Sequence, residues 1–245
     1  MKIAILGYGK MGQEVERLAV KLEHEVVLAI DSDKDWETVG DRLGEAGVAI
    51  DFSMPEAAVE NIYRCFQANV PLVEGTTGWY DKLEQVIHDC RERNQALFYG
   101  TNFSIGVNLF FEVNRNLAKL MQPFSDYEIS IEETHHITKK DSPSGTAIQL
   151  ANDILRNIER KARWVKEFPG DPSELGIKSY RTENVPGTHV VRYDSDIDTI
   201  EIIHTAKNRR GFALGALMAA EFLQGRKGVF EMKDLLSSQK LTESK

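Results

Sequence analysis

Over roughly the first hundred residues, short apolar runs alternate with stretches whose apolar positions recur every three or four residues. Residues 3–6 (IAIL) are a continuous apolar run of strand length. Val15, Leu18, Ala19 and Leu22 then repeat at helical spacing, and residues 25–31 (EVVLAID) read as a second strand. The alternation continues through a strand at 47–53, a helix at 55–68 opened by Pro55, a strand at 70–78, a helix at 79–93 and a strand from 95. Strands alternating with helices in this way predict a Rossmann-type doubly wound parallel sheet, an α/β fold.

The pattern changes after a long helix at 104–121. Residues 126–133, 177–183, 188–193 and 197–204 are strand-like. The last two flank Asp194, Ser195 and Asp196 and predict an antiparallel hairpin. Ile148, Leu150, Ala151, Ile154, Leu155 and Ile158 mark a helix, and a short polar helical pattern falls at 171–175. Residues 160–176 read as a surface connection without chemistry. A small-residue helix follows Arg210 and Gly211, residues 228–236 close the ordered chain, and the charged tail to Lys245 is expected to fray. This half predicts a second, α+β domain with an open mixed sheet.

The first strand runs into Gly7, Tyr8, Gly9, Lys10, Met11 and Gly12, a G-x-G-x-x-G turn that opens a helix. Asp31 ends the second strand, nineteen positions after Gly12. In a strand–turn–helix–strand unit this is a dinucleotide fingerprint. Gly7 permits the tight turn, Gly9 lets the backbone approach a pyrophosphate, and Gly12 lets helix pack on strand. Ligands of such sheets collect at the carboxyl ends of strands. Phe52, Gly75, Thr76, Thr77, Gly100, Thr101, Asn102 and Phe103 all lie at such ends.

Residues 133–147 (ETHHITKKDSPSGTA) link an alternating strand to a helix. Ser144, Gly145 and Thr146 sit where that helix begins, and its free backbone N–H groups attract anions. With His135, His136, Lys139 and Lys140 just upstream, the loop suits a small, multiply negative ligand. The chain carries a formal net charge of −8, so this cationic loop is a local anion site rather than part of a basic surface. The same charge argues against nucleic acid or an anionic membrane as partner. No apolar run reaches the length of a membrane span, and the N-terminus passes directly into the glycine turn with no leader pattern. Cys65 and Cys90 lie in helical patterns as reduced thiols, which suits the cytoplasm.

The string from His135 through Ala147 resembles the signature of the dihydrodipicolinate reductase family, E-x-H-H-x-x-K-x-D-x-P-S-G-T-A, in register. GTTG at 75–78 and NFS-x-GVN at 102–108 resemble the strings that line the nicotinamide half of that family's cofactor site. PGTH at 186–189 resembles its G-x-H element. The glycine turn is one residue shorter than in many members, Thr101 replaces the usual alanine or proline, and the hairpin is short. The resemblance implies a nucleotide domain at 1–104 and 209–245 and a substrate and oligomerisation domain at 105–208. It also implies a hinge near the crossings and a homotetramer through the second sheet.

The implied reaction is reduction of 4-hydroxy-tetrahydrodipicolinate by NAD(P)H, a step toward diaminopimelate and lysine. Lys139, His136, Ser144 and the amides of Gly145 and Thr146 would bind the two carboxylates. His135, whose ordinary pKa lies near neutrality, and Lys139 are the candidate proton donors. Metal binding is not expected: adjacent histidines diverge in extended chain, and no acid or cysteine is seen to complete a set. Asp31 followed by Ser32 and Asp33 implies that NADH serves at least as well as NADPH, with NADPH admitted through Lys10. Two other readings share part of these features. A different two-domain nicotinamide oxidoreductase of amino-acid metabolism would not need the HHxxK and SGT elements, and an NAD-binding sensor would not need His135 or Lys139.

Overall fold

The computed structural model describes residues 1–242. The chain forms two compact units, one of 1–105 together with the segment from Arg209 onward, the other of Gly106–Asn208.

The first unit is built on a six-stranded parallel sheet. Its strands are β1 (Lys2–Leu6), β2 (Glu25–Ile30), β3 (Val48–Asp51), β4 (Leu72–Glu74), β5 (Ala96–Tyr99) and β11 (Gly228–Phe230), in the order β11-β5-β4-β3-β1-β2. Alternation sends successive side chains to opposite faces. Ile3, Ile5, Val48, Ile50, Val73 and Phe98 meet α1 (Lys10–Lys21), α7 (Arg210–Leu223) and α8 (Met232–Thr242) on one face. Ala4, Leu6, Ala49, Leu72 and Leu97 meet α3 (Pro55–Gln67) and α4 (Leu83–Glu92) on the other. Helix α7 is rich in small residues because it must lie close. A Cβ on Gly215 would come within 1.8 Å of the Phe103 carbonyl oxygen. The strand order reverses beside β1, with β2 on one side and β3 on the other. The carboxyl ends of β1 and β3 therefore flank the place where such sheets bind ligands.

The second unit has a five-stranded mixed sheet, ordered β10-β9-β6-β8-β7. Its strands are β6 (Glu128–His135), β7 (Arg163–Lys166), β8 (Glu174–Arg181), β9 (Gly187–Asp194) and β10 (Thr199–Ala206). β9 lies antiparallel to both β6 and β10, and β8 lies parallel to β6 and β7. Helices α5 (Ile105–Met121) and α6 (Gly145–Leu155) cover one face through Phe110, Phe111, Leu150 and Ile154, packed on Ile129, Ile131, Ile177, Val191 and Tyr193.

Two expectations are corrected, and one element was not anticipated. The helical pattern at 171–175 is a turn followed by the start of β8, because the Asp171 carboxylate takes the Ser173 amide and closes a local loop. The connection at 160–176 contains β7, a strand of only four residues. A polar helix, α2 (Asp33–Val39), fills the segment after Asp31. Helix α8 runs on to Thr242, and the rest of the tail lies outside the described residues.

Candidate functional site

In the first unit the glycine turn closes over the end of β3. Gly7 holds φ +80°, and a Cβ there would meet the Phe52 carbonyl oxygen at 2.5 Å. A Cβ on Gly12 would meet the Gly7 carbonyl oxygen at 2.2 Å, whereas one on Gly9 would meet nothing within 4 Å. Open space over Gly9, at the N-terminus of α1, is the cradle that a pyrophosphate requires. The Asp31 carboxylate accepts the Tyr8 amide at 2.6 Å, so the acid also holds the turn. Beyond it, Ser32 caps α2, and the Asp35 carboxylate takes the Asp31 amide at 3.0 Å and the Ser32 hydroxyl at 2.8 Å. Those hydrogen bonds, the Ser32 hydroxyl first, hold the Asp35 carboxyl below its ordinary value. Lys10, Lys34, Asp31 and Asp33 are exposed around the turn.

Of the other expected cofactor residues, Thr77 and Thr101 are exposed and Gly75, Gly100, Asn102 and Phe52 half-buried. Thr76 is buried with its polar groups turned inward. The Phe103 ring lies in the core against Phe52 and Phe98, so only its backbone can face a cofactor.

The second unit gathers the acid–base groups. β6 alternates, so Glu133 and His135 share the face of Ile129 and Ile131 and end buried beneath the helices. β9 is paired to it in register, with His189 opposite Glu133. His135 Nδ1 lies 3.5 Å and His189 Nε2 3.7 Å from Glu133 Oε2, and the two imidazoles meet edge to face at 5.0 Å. Ser144 closes the cluster. Its amide donates to both Glu133 oxygens (3.0 and 3.1 Å), and its hydroxyl lies 3.2 Å from His189 Nε2 while accepting the Ala147 amide. Ser144 is therefore buried with its polar atoms taken up by the protein. It positions the site rather than offering a free contact to substrate.

The loop between β6 and α6 stands above this cluster. Lys139 pairs with Asp141 at 2.8 Å. Arg181, at the end of β8, donates to the carbonyls of Asp141 (2.6 Å) and Lys139 (3.3 Å), and its Nη1 is 3.7 Å from Glu133 Oε1. His136 is half-buried, its Nδ1 2.7 Å from the Thr138 hydroxyl. Gly145 is exposed with open space where a side chain would stand, so the first-turn amides of Gly145 and Thr146 lie free of intrahelical partners.

The surroundings of His135 shift it from its ordinary value. Burial lowers its pKa; Glu133 pulls it back up, but Lys139 and Arg181 lower it further. His189 is driven to about 3 by burial, with His135 adding to the shift. The expectation that no acid completes a metal set is corrected. Among the described residues Glu133, His135 and His189 present ligand atoms within 4.8 Å of one another. The cations Lys139 and Arg181 beside them favour an anion there rather than a metal ion. Glu133, His189 and Arg181 escaped the sequence reading as site residues. Parity along β6 was the available signal for Glu133, and the PGTH string for His189. Arg181 carried none.

Residues 1–103 match the family model described as dihydrodipicolinate reductase, N-terminus, and residues 106–236 the one described as dihydrodipicolinate reductase, C-terminus. The chain is 49% identical over 237 residues to the 4-hydroxy-tetrahydrodipicolinate reductase of Christiangramia forsetii, covering 97% of this chain and 98% of that one. It is 34% identical over 201 residues to the enzyme of the same name from Neisseria meningitidis, covering 79% and 74%. The fold is similar to that of a dipicolinate-bound dihydrodipicolinate reductase from a Paenisporosarcina species, with a TM-score of 0.74 and 22% identity over 94% of this chain and 97% of that one. An engineered D-amino acid dehydrogenase bound to NADP+ shares it more distantly, with a TM-score of 0.54 and 13% identity over 94% and 92%.

Proposed function

The chain belongs to the dihydrodipicolinate reductase family, and from that premise we propose that it reduces 4-hydroxy-tetrahydrodipicolinate to tetrahydrodipicolinate with a nicotinamide cofactor, on the path to diaminopimelate and lysine. The observation that carries this reading is the buried Glu133–His135–His189 cluster set against Lys139 and the open first turn of α6. It joins a proton source to a dicarboxylate cradle.

Gly7, Gly9 and Gly12 hold the pyrophosphate of the cofactor and Asp31 its adenosine ribose. The strand-end turns at 52–53, 75–77 and 100–103 face its nicotinamide half. When bound, the reduced nicotinamide supplies a hydride. The substrate carboxylates take the amides of Gly145 and Thr146 together with Lys139 and His136, where backbone dipole and cation act on the same anion. Glu133 faces His135 Nδ1 and so favours a proton on that nitrogen. Nε2 points to Gly187, where any Cβ would stand 3.0 Å away; glycine keeps that nitrogen accessible. Burial and the neighbouring cations keep His135 neutral in the free protein. A doubly negative substrate reverses that balance, so the acid form arises with the substrate bound; the substrate's 4-hydroxyl leaves as water, opening a conjugated ring, and His135 gives its proton to that ring as the hydride adds.

NADH is expected to serve at least as well as NADPH, since a 2′-phosphate would meet the carboxylates of Asp31, Asp33 and Asp35. The protein is proposed to work in the cytoplasm as a homotetramer formed through the open face of the second sheet. Among the described residues no helix is long and apolar enough to cross a membrane. The test is loss of reduced-nicotinamide absorbance with the condensation product of pyruvate and aspartate semialdehyde. Absence of turnover with either cofactor would sink the assignment.

A further inference from the structure

Two buried acids beneath the cofactor-facing turns take no part in the chemistry above. Asp51 ends β3 and Glu74 ends β4, and they are register partners on neighbouring strands. Both are 0% exposed. Asp51 Oδ1 accepts from the Ser53 amide (2.7 Å) and the Thr76 hydroxyl (3.3 Å), and Oδ2 from the Asn61 amide (2.8 Å). Glu74 Oε1 accepts the Thr76 amide at 2.8 Å, whereas Oε2 is buried without a donor. Thr76 bridges the two carboxyls, donating to one oxygen of each. The other titratable groups that face the pair are Cys65 of α3 and Tyr80, just before α4, and each ionises to an anion. Among the described residues no cation pairs with either acid.

Two ionised carboxylates bridged by one residue, wholly buried and without a cation, are strongly disfavoured, so the pair keeps a proton. Glu74 Oε2 is the one oxygen of the four that no donor reaches, so it is the place for that proton. Thr76 links this pair to the surface. Its amide binds Glu74, its hydroxyl binds Asp51, and its Oγ1 also accepts the Ser53 amide at 3.0 Å. The turns after β3 and β4 thus rest on one shared proton. They have little slack otherwise, since a Cβ on Gly75 would meet the Phe52 ring at 2.2 Å.

We propose that Glu74 is a positioning residue for the nicotinamide half of the cofactor site, holding the turns at 52–53 and 75–77 in one arrangement through a proton it shares with Asp51. This rests on the cofactor reading given above. Burial, followed by the Asp51 charge, raises the Glu74 pKa well above its ordinary value. The folded state therefore keeps a proton that the unfolded chain releases. Stability falls as pH rises through the interval between the two pKa values. Loss of the proton also puts a second charge beside Asp51 and frees the turns, so the KM for the cofactor rises with pH.

The experiment uses the full chain with Glu74→Gln, which keeps a neutral donor in place of the proton and an acceptor for Thr76, and Glu74→Leu, which keeps neither. Thermal melts without cofactor, from about pH 6 to about pH 9, should show the wild type losing stability relative to Glu74→Gln as pH rises. In the reductase assay Glu74→Leu should raise the KM for NADH about fivefold or more with kcat little changed. Glu74→Gln should restore that KM and flatten its rise with pH. Parallel melting curves for wild type and Glu74→Gln would overturn the shared proton. Diverging curves with an unchanged KM in Glu74→Leu would overturn the positioning role. Failure of the wild type to bind either nicotinamide cofactor would overturn the cofactor reading, and the melts would still report on the proton.

Discussion

His135 sits in a region that burial makes hostile to charge, between two carboxylates, Glu133 and Asp141, that favour its proton and two cations that oppose it. Its use as an acid depends on what binds beside it. The pH profile of kcat/KM reports the free protein and that of kcat the substrate complex. The protonated form is lost as pH rises, so the alkaline limb of kcat/KM should fall at lower pH than that of kcat. Coincident limbs would contradict a substrate-induced rise in the His135 pKa. His135→Ala and Lys139→Ala should each lower turnover by at least about a hundredfold, the scale of a lost acid or charge clamp. Cofactor binding, measured by fluorescence of NADH, should survive in both, because neither residue belongs to the first unit. His189 acts on stability. Its pKa falls from 6.5 to about 3 on burial, so the unfolded chain takes up a proton that the folded protein refuses. That contribution is intact above about pH 6.5 and is lost as pH falls toward 3, by up to ~1.4 kcal/mol per pH unit. His189→Gln should therefore melt less steeply with acidification than the wild type in scans at falling pH.

At the scale of elements, the proposed cofactor preference rests on the glycine turn and the start of α2. The Asp31 carboxylate is fixed by the Tyr8 amide and followed by Asp33 and Asp35, so the end of the site proposed for the ribose carries several acids. The expected ratio of kcat/KM for NADH over NADPH is one or higher at fixed ionic strength. A tenfold preference for NADPH, about 1.4 kcal/mol, would show that Lys10 and Lys34 outweigh those acids. These elements also show what the sequence made legible. β1, α1 and β2 declare themselves because their buried residues recur at strand and helix periods and Gly7 and Gly12 fall where a Cβ has no room. Helix α2 has no fully buried residue and only Trp36 and Val39 to mark its inner side, too few to read as a stripe; its Ser32 cap and first-turn acids add to that packing. β7 is four residues with charge at both ends, made a strand by its pairing with β8. The site divides in the same way. His135 and Lys139 are four apart on one loop. His189 and Arg181 reach it from β9 and β8, and only strand register brings them there.

The whole chain carries a net charge of −8, yet its second unit concentrates Lys139, Arg181 and the free amides of α6 at one end of a sheet. That local reversal of sign suits capture of a dianion, and salt should raise its KM. The open face of the second sheet bears Val190, Ile203, Thr188 and Thr205 beside the Arg192–Glu201 and Arg192–Glu132 ion pairs, with Ile203 58% exposed. If this face joins subunits, light scattering after size exclusion should give a tetramer for the wild type and smaller species for Ile203→Lys. A monomeric wild type at micromolar concentration would remove the assembly from the proposal. Helix α7 has a further consequence, for the order in which the molecule comes into being. One face of the first sheet is covered by residues that follow Arg209, among them Ala213, Ala216, Leu217 and Leu223, and β11 adds its last strand. A nascent chain that has emerged only as far as Asn208 holds five strands of that sheet with one apolar face covered by α1 alone, while residues 106–208 already contain every strand of their own unit. The segment inserted in the middle can therefore mature first, and the flanking halves of the first unit close only once the residues after Arg209 have emerged. Limited proteolysis of a chain truncated after Asn208 should leave a resistant core near residues 106–208 and digest what precedes it.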